Sequence, residues 1–286
     1  MKLCRFERSG GPVVPGLILA DGRLLDLSAH GIATLAEVFE SAACIDKVDR
    51  LARSSTGAGI EMKDVRLAPP VDRQEVWAAG VTYLRSKKAR MEESDFSAKA
   101  YDRVYEAERP EIFFKSLAEK VVTTGAPVGI RRDARWSVPE PELVLIFNSK
   151  AQVSGFSIGN DMSSRDIEGE NLLYLPQAKI YRNSCSIRPW VVVGPTEAEA
   201  REWSIKVEIR RQSGLVFSGE TSVGQLRREF AQLGEFLFRS QQFPHGVALL
   251  TGTGVVPPDS FTLAAGDEIA VAISGIGQIV NRVEVV

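Results

Sequence analysis

The stretch Pro139-Glu140-Pro141-Glu142-Leu143 restricts the folding of this chain more than any other part of it. Proline fixes its own φ, donates no backbone hydrogen bond and pushes the preceding residue out of the helical region. Two prolines one residue apart therefore oppose a helix and favour an extended chain. In an extended chain, residues i and i+2 face the same side. Glu140 and Glu142 then converge at the mouth of the apolar run 143–147. Two carboxylates in a half-buried place need a cation, or a raised pKa on one of them. Asp161 follows the apolar Phe156-Ser-Ile158 and is placed to return to the same spot as a third oxygen ligand. The alternative is an exposed turn that carries surface acids.

Composition narrows what such a site serves. The 286 residues are 44% hydrophobic and 25% charged, enough for one large domain or for one large and one small. A net charge of −2 gives no general attraction to nucleic acid or to an acidic membrane surface. No apolar stretch approaches the roughly 20 residues that span a bilayer, and the first residues lack the apolar core of a signal peptide. Cys4, Cys44 and Cys185 form no close pair and fit a reduced, cytoplasmic protein. His30 and His245 are the only histidines, so a His-rich zinc site is excluded by inventory. Oxygen ligands suit Mg²⁺, with Mn²⁺ as the alternative.

Along the chain, residues 1–70 read as a small α+β domain and residues 71–286 as a larger one. In the first, Leu17-Ile-Leu19 and Leu24-Leu25 flank Asp21-Gly22, a hairpin signal, and Thr34 caps a short helix that reaches Phe39. Prolines 69 and 70 mark the boundary. Residues 84–108 are charged and helix-prone. Strands are then expected at 112–115, 142–147, 155–158, 190–193, 205–210, 247–250 and 268–273, with a last one ending at 286. A helix with Ser222 as cap is expected from Leu226, Phe230, Leu233 and Leu237 at i, i+4, i+7 and i+11. The fold class is α+β, mainly mixed β.

Other polar groups carry weaker signals. Lys179 sits in the mostly apolar Leu175-Pro-Gln-Ala-Lys-Ile-Tyr181, where a lysine either snorkels outward or serves a buried site. Residues 161–171 read as a polar loop. Thr251-Gly-Thr-Gly254 follows an apolar strand and offers backbone donors to an anion, or forms a tight turn. It is no P-loop, and no Gly-x-Ser-x-Gly elbow exists for serine hydrolysis. His245 reads as a loop histidine.

In order, Gly80-Val-Thr-Tyr83, Pro110-Glu-Ile-Phe-Phe-Lys115, Glu140-Pro-Glu142, Gly155-Phe-Ser-Ile-Gly-Asn-Asp161, Ser164-Arg165-Asp166, Ala178-Lys179, Thr251-Gly252-Thr253 and Gly275-Ile-Gly-Gln-Ile-Val-Asn281 resemble the fumarylacetoacetate hydrolase family. The resemblance implies a mixed β-sandwich or roll, a homodimer or higher homo-oligomer, and Mg²⁺ held by Glu140, Glu142 and Asp161. It also implies that Lys179 faces a 2-oxo acid. Hydrolases of the family show Gly-x-Asn-Tyr-x-x-His-x-x-Glu, whose His and Glu activate water. Here Ser86 and Ala89 stand in those positions, and neither is a general base near neutral pH. The run 167–181 resembles instead the branch that dehydrates 2-keto-3-deoxy-pentonates to 2,5-dioxopentanoate.

That branch implies loss of a C3 proton and expulsion of the C4 hydroxyl. Lys179 is then the first choice for enolate contact or proton transfer, with Glu111, Glu168 and Glu170 as candidates for acid–base work. Arg85 and Ser86, with Lys179, Thr251 and Thr253, are candidates for substrate contact. Two other readings compete. One is a hydrolase of diketo acids, such as 2,4-diketo-3-deoxy sugar acids or acylpyruvates. The other is a non-catalytic protein that binds an oxo acid or a metal.

Overall fold

The structure, a computed structural model, describes residues 1–55, 59–84 and 103–286. Arg85, Ser86 and most of the helix expected over 84–108 lie outside the described residues. The first strands are β1 (Lys2–Arg8), β2 (Val14–Ile18), β3 (Leu24–Asp26), β4 (Val65–Ala68), β5 (Glu75–Gly80), β6 (Glu111–Ser116), β7 (Val128–Ile130), β8 (Ser137–Val138), β9 (Pro141–Phe147) and β10 (Val153–Asp161). They continue as β11 (Ser163–Ser164), β12 (Cys185–Ile187), β13 (Trp190–Val192), β14 (Ser204–Arg211), β15 (Gly214–Ser222), β16 (Val247–Leu250), β17 (Glu268–Ile273) and β18 (Gly277–Val285). Between them lie short helices, α1 (Leu35–Glu40), α2 (Ala42–Ser54), α3 (Arg165–Glu170), α4 (Leu175–Lys179), α5 (Glu197–Arg201) and α6 (Phe230–Phe238).

One sheet runs β3-β2-β1-β13-β10-β9-β16-β5-β6, with β12 joined to β10 and β4 to β1. A second runs β15-β14-β17-β18-β7, and β8 and β11 form a short ribbon. The β16–β5 and β18–β7 pairs are parallel and the others antiparallel, so the sheets are mixed, as expected.

The strand β9 shows why the apolar run 143–147 is unbroken. Successive side chains of a strand point to opposite faces. Leu143, Leu145 and Phe147 enter a core shared with Ile205, Val207 and Val271 of the second sheet. Val144 and Ile146 enter another core, with Leu3, Leu17 and Val38 of the N-terminal region. A strand covered on both faces has no need of polar alternation. In the second sheet β14, with one face towards solvent, keeps that alternation.

Thr34 caps α1, its hydroxyl accepting from the Glu37 N–H at 3.2 Å. The helix expected from Leu226 differs: it begins at Phe230, and Glu229 occupies the cap position. After Ser222 the chain makes a 3₁₀ turn, and Leu226 is extended at φ −65°, ψ 119°. Leu226 reaches the core from outside the helix, so its spacing matched a helical face by coincidence. Part of the polar stretch 161–171, expected to be a loop, is the helix α3.

Candidate active site

The pairing of β9 with β10 assembles the three acids. Their register sets Gly159 opposite Glu142 and Asn160 opposite Pro141. The Asp161 N–H then reaches the Glu140 carbonyl at 2.9 Å, which stands Asp161 across from Glu140. Glu140 and Glu142 extend the face of Val144 and Ile146, so an apolar face becomes acidic at its end. Glu140, Glu142 and Asp161 each offer an oxygen within 4.8 Å of the others. All three are buried, at 2%, 1% and 1% exposure.

Three basic groups interlock with them. The ammonium of Lys179 donates to Glu140 Oε2 at 2.7 Å, Asp161 Oδ2 at 3.0 Å and Ser163 Oγ at 2.6 Å. A lysine has three donors, so all of them are engaged. Lys179 is fully buried, which rules out snorkelling. It ends α4, which opens on Leu175-Pro176 with proline in the first turn, where its missing N–H costs nothing. Lys115, at the end of β6, pairs with Asp161 Oδ1 at 2.5 Å. It also donates to the carbonyls of Met162, at 3.2 Å, and of Lys179, tying the end of α4 to the cluster. Arg165 opens α3 and donates to Glu140 Oε1 at 2.7 Å. Lys115, Ser163 and Arg165 were not among the sequence-derived candidates. Their only sequence signal was a place inside or beside the family-like segments, because each reaches the acids through tertiary folding.

Glu142 is the least compensated of the acids. Its Oε2 accepts the Gly252 N–H at 2.5 Å. Burial, then the charges of Asp161 and Glu140, push its pKa well above the ordinary carboxylate range; Lys179 and the Gly252 donor oppose the shift. The donor set consists of hard oxygens at the spacing of a small divalent cation, so Mg²⁺ fits it. Among the described residues, three carboxylates formally face three basic groups. A divalent cation leaves the cluster a surplus of two positive charges. That surplus suits an anionic ligand.

The remaining candidates divide. Glu111 and Glu168 line one pocket of about 290 Å³ with Arg109, Leu172 and Leu175. Arg165 and Glu168 lie three apart on α3 and so share a helical face, one towards the acids and one towards the pocket. Phe113, two residues from Glu111 on β6, has its ring centroid 5.9 Å from the Lys179 ammonium. Glu170, at the end of α3, is exposed. The hydroxyls of Thr251 and Thr253 donate to the carbonyls of Leu143 and Val255, each at 3.0 Å. Of the backbone donors expected in that segment, the Gly252 N–H goes to Glu142 and the Thr251 N–H to Leu143. His245 is an exposed loop residue, as expected.

The chain matches the family model for the C-terminal region of fumarylacetoacetate hydrolase over residues 75–284. It is 40% identical over 243 residues to a probable 2-keto-3-deoxyxylonate dehydratase of Haloferax volcanii, covering 84% of this chain and 83% of the relative. It is 32% identical over 288 residues to the 2-dehydro-3-deoxy-D-arabinonate dehydratase of Saccharolobus solfataricus, covering 99% and 96%. Among solved structures it resembles a 2-keto-3-deoxy-D-arabinonate dehydratase complexed with magnesium and 2,5-dioxopentanoate. There the TM-score is 0.83 at 28% identity, covering 100% of this chain and 99% of that one.

Proposed function

The chain belongs to the fumarylacetoacetate hydrolase family, and from that premise we propose that it is a Mg²⁺-dependent hydro-lyase converting a 2-keto-3-deoxy-pentonate to 2,5-dioxopentanoate. The observation that carries this reading is the buried Glu140–Glu142–Asp161 cluster locked by Lys115, Lys179 and Arg165 beside a pocket with two further carboxyl groups. Glu140, Glu142 and Asp161 hold the metal, which when bound supplies the Lewis acidity that makes C3–H labile.

The protein's own groups do the rest. Lys115 and Lys179 orient the carboxylates, and Lys179 contacts the substrate by exchanging one of its three present acceptors for a substrate oxygen. Glu111 takes the C3 proton. Glu168 protonates the departing C4 hydroxyl, which leaves as water. A C5 proton then departs, C3 and C4 each accept a proton, and the C5 carbinol loses its hydroxyl proton to become the aldehyde. Leu172 and Leu175 give the pocket an apolar wall beside the carboxyl groups of Glu111 and Glu168. Arg85 and Ser86 are assigned to substrate contact. The reading places the enzyme in the cytoplasm as a homodimer; among the described residues no helix is long and apolar enough to cross a membrane.

The test is a coupled assay on purified protein with 2-keto-3-deoxy-pentonates and Mg²⁺. An aldehyde product that chelation abolishes, and that Glu142→Gln reduces by about 100-fold or more, is expected. Cleavage of an acylpyruvate without any aldehyde would instead favour the diketo acid hydrolase. Ligand binding without turnover would favour a non-catalytic binder.

A further inference from the structure

The Thr251–Gly252 peptide group touches the acid cluster at one end and a buried hydroxyl at the other. Its N–H, on Gly252, donates to Glu142 Oε2 at 2.5 Å. Its carbonyl, on Thr251, accepts from the hydroxyl of Thr82 at 2.6 Å. A trans peptide is planar, and its C=O and N–H point in opposite directions. Fixing the carbonyl therefore fixes the aim of the N–H. A donor on the carbonyl also polarises the group and strengthens the N–H as a donor.

The surroundings hold Thr82 for this contact. Val81, just before it, has φ +54°, a region that β-branched residues rarely enter. The chain thereby turns sharply after β5 and directs Thr82 back towards residue 251. The Thr82 carbonyl accepts from the Arg227 N–H at 3.0 Å, so the turn is anchored on its other side. Gly252, at φ +88°, places its bare Cα against Thr82, and a Cβ there would overlap Oγ1. Thr251 is held to the Leu143 carbonyl by its own N–H and hydroxyl, each at 3.0 Å. Thr82 is 1% exposed and touches none of the three acids' carboxylates through its hydroxyl.

We infer that Thr82 is a positioning residue of the metal centre: its hydroxyl clamps the Thr251–Gly252 peptide plane, and that plane presets the Glu142 carboxylate for the cation. The inference rests on Glu142 being a metal ligand. A buried hydroxyl needs an acceptor wherever it lies, so stability alone does not distinguish this role from a structural one. Metal affinity does.

The experiment titrates Mn²⁺ into the full-length, metal-free protein without substrate and follows free Mn²⁺ by its paramagnetic resonance signal. Thr82→Val keeps the shape and loses the donor, and it is expected to weaken binding about tenfold, the scale of lost outer contacts at metal sites. Thr82→Ser keeps the donor and is expected to stay within about twofold of the parent on the same scale. Should the valine variant fail to fold, Thr82→Ala carries the donor-less arm. Parental affinity in the donor-less variant overturns the inference. So does a serine variant as weak as the valine, because the methyl group would then be the cause. Glu142→Gln separates the two levels. If it too binds Mn²⁺ like the parent, the assignment of Glu142 as a ligand fails; if it alone loses binding, only the role of Thr82 fails.

Discussion

At the scale of single residues, Glu142 sets how the site responds to pH. Its carboxyl is buried beside two other acids, and its pKa in the folded protein lies well above its ordinary value of 4.5. The folded state therefore holds this proton more tightly than the unfolded chain does. Without metal, the resulting stabilisation is complete below the ordinary carboxylate range and is lost as pH rises through the folded value. Metal binding needs the ionised form and has the opposite dependence. We predict that Mg²⁺ affinity rises with pH through that window, and that binding there releases about one proton per metal ion. Calorimetry in two buffers of different ionisation enthalpy measures the release; pH-independent affinity with no proton released would show that the Glu142 carboxyl is already ionised before the metal binds. The convergence of Glu140 with Glu142 was legible in sequence because two prolines force local geometry. The basic partners were not, since Lys115 and Arg165 meet the acids across 46 and 25 residues of chain, distances no local pattern encodes.

Elements add a second constraint, in the pairing of β5 with β6. Their register sets Gly80 opposite Glu111, and a Cβ on Gly80 would overlap the Glu111 carboxyl. The bare Cα is the seat of a group assigned to proton transfer and has no contact with the metal ligands' carboxylates. Gly80→Ala is therefore predicted to lower kcat by about 100-fold, the scale of a catalytic group displaced by an ångström, while Mg²⁺ affinity stays at the parental value. Steady-state kinetics beside a metal titration checks this. Equal loss in both would mean that the strand had moved as a whole. Most strands were legible, because apolar runs bounded by Gly and Pro leave few alternatives. Within β6 the register shifts at Lys115, the extra residue between Phe114, opposite Trp77, and Ser116, opposite Val76. The alternation of a regular strand does not predict such a shift, so the direction of the Lys115 side chain was hidden. The misplaced start of α6 has a similar cause: Leu226 is apolar for the core it enters and not for a helix.

For the whole molecule, the question is how residues 1–70 relate to the rest. β1 pairs with β13 and, through it, joins the sheet that carries the acids. Leu3, Leu17, Val38 and Phe39 pack in one core with Val144, Ile146, Ala248 and Leu250. Glu142 lies at the start of the strand that presents Val144 and Ile146, so the N-terminal region supports the face on which the site is built. The boundary near residue 70 is then expected to be one of chain organisation and not of stability. The protein offers a clean test. Trp77, Trp136, Trp190 and Trp203 all lie beyond residue 70, and residues 1–70 contain no tryptophan or tyrosine. Cys4 is buried in β1 and Cys185 in β12. In a denaturant series, tryptophan fluorescence and the thiol reactivity of Cys4 and Cys185 are predicted to change together. Saturating Mg²⁺, at about 100 times its dissociation constant, should shift all three by about 2.7 kcal/mol. If Cys4 becomes reactive while Cys185 remains protected, residues 1–70 unfold as an independent domain, and the fluorescence then changes only in part, because Trp190 pairs with Cys4 and packs against β1. Mg²⁺ that protects Cys185 but not Cys4 would lead to the same conclusion, because linkage through a continuous sheet must stabilise both.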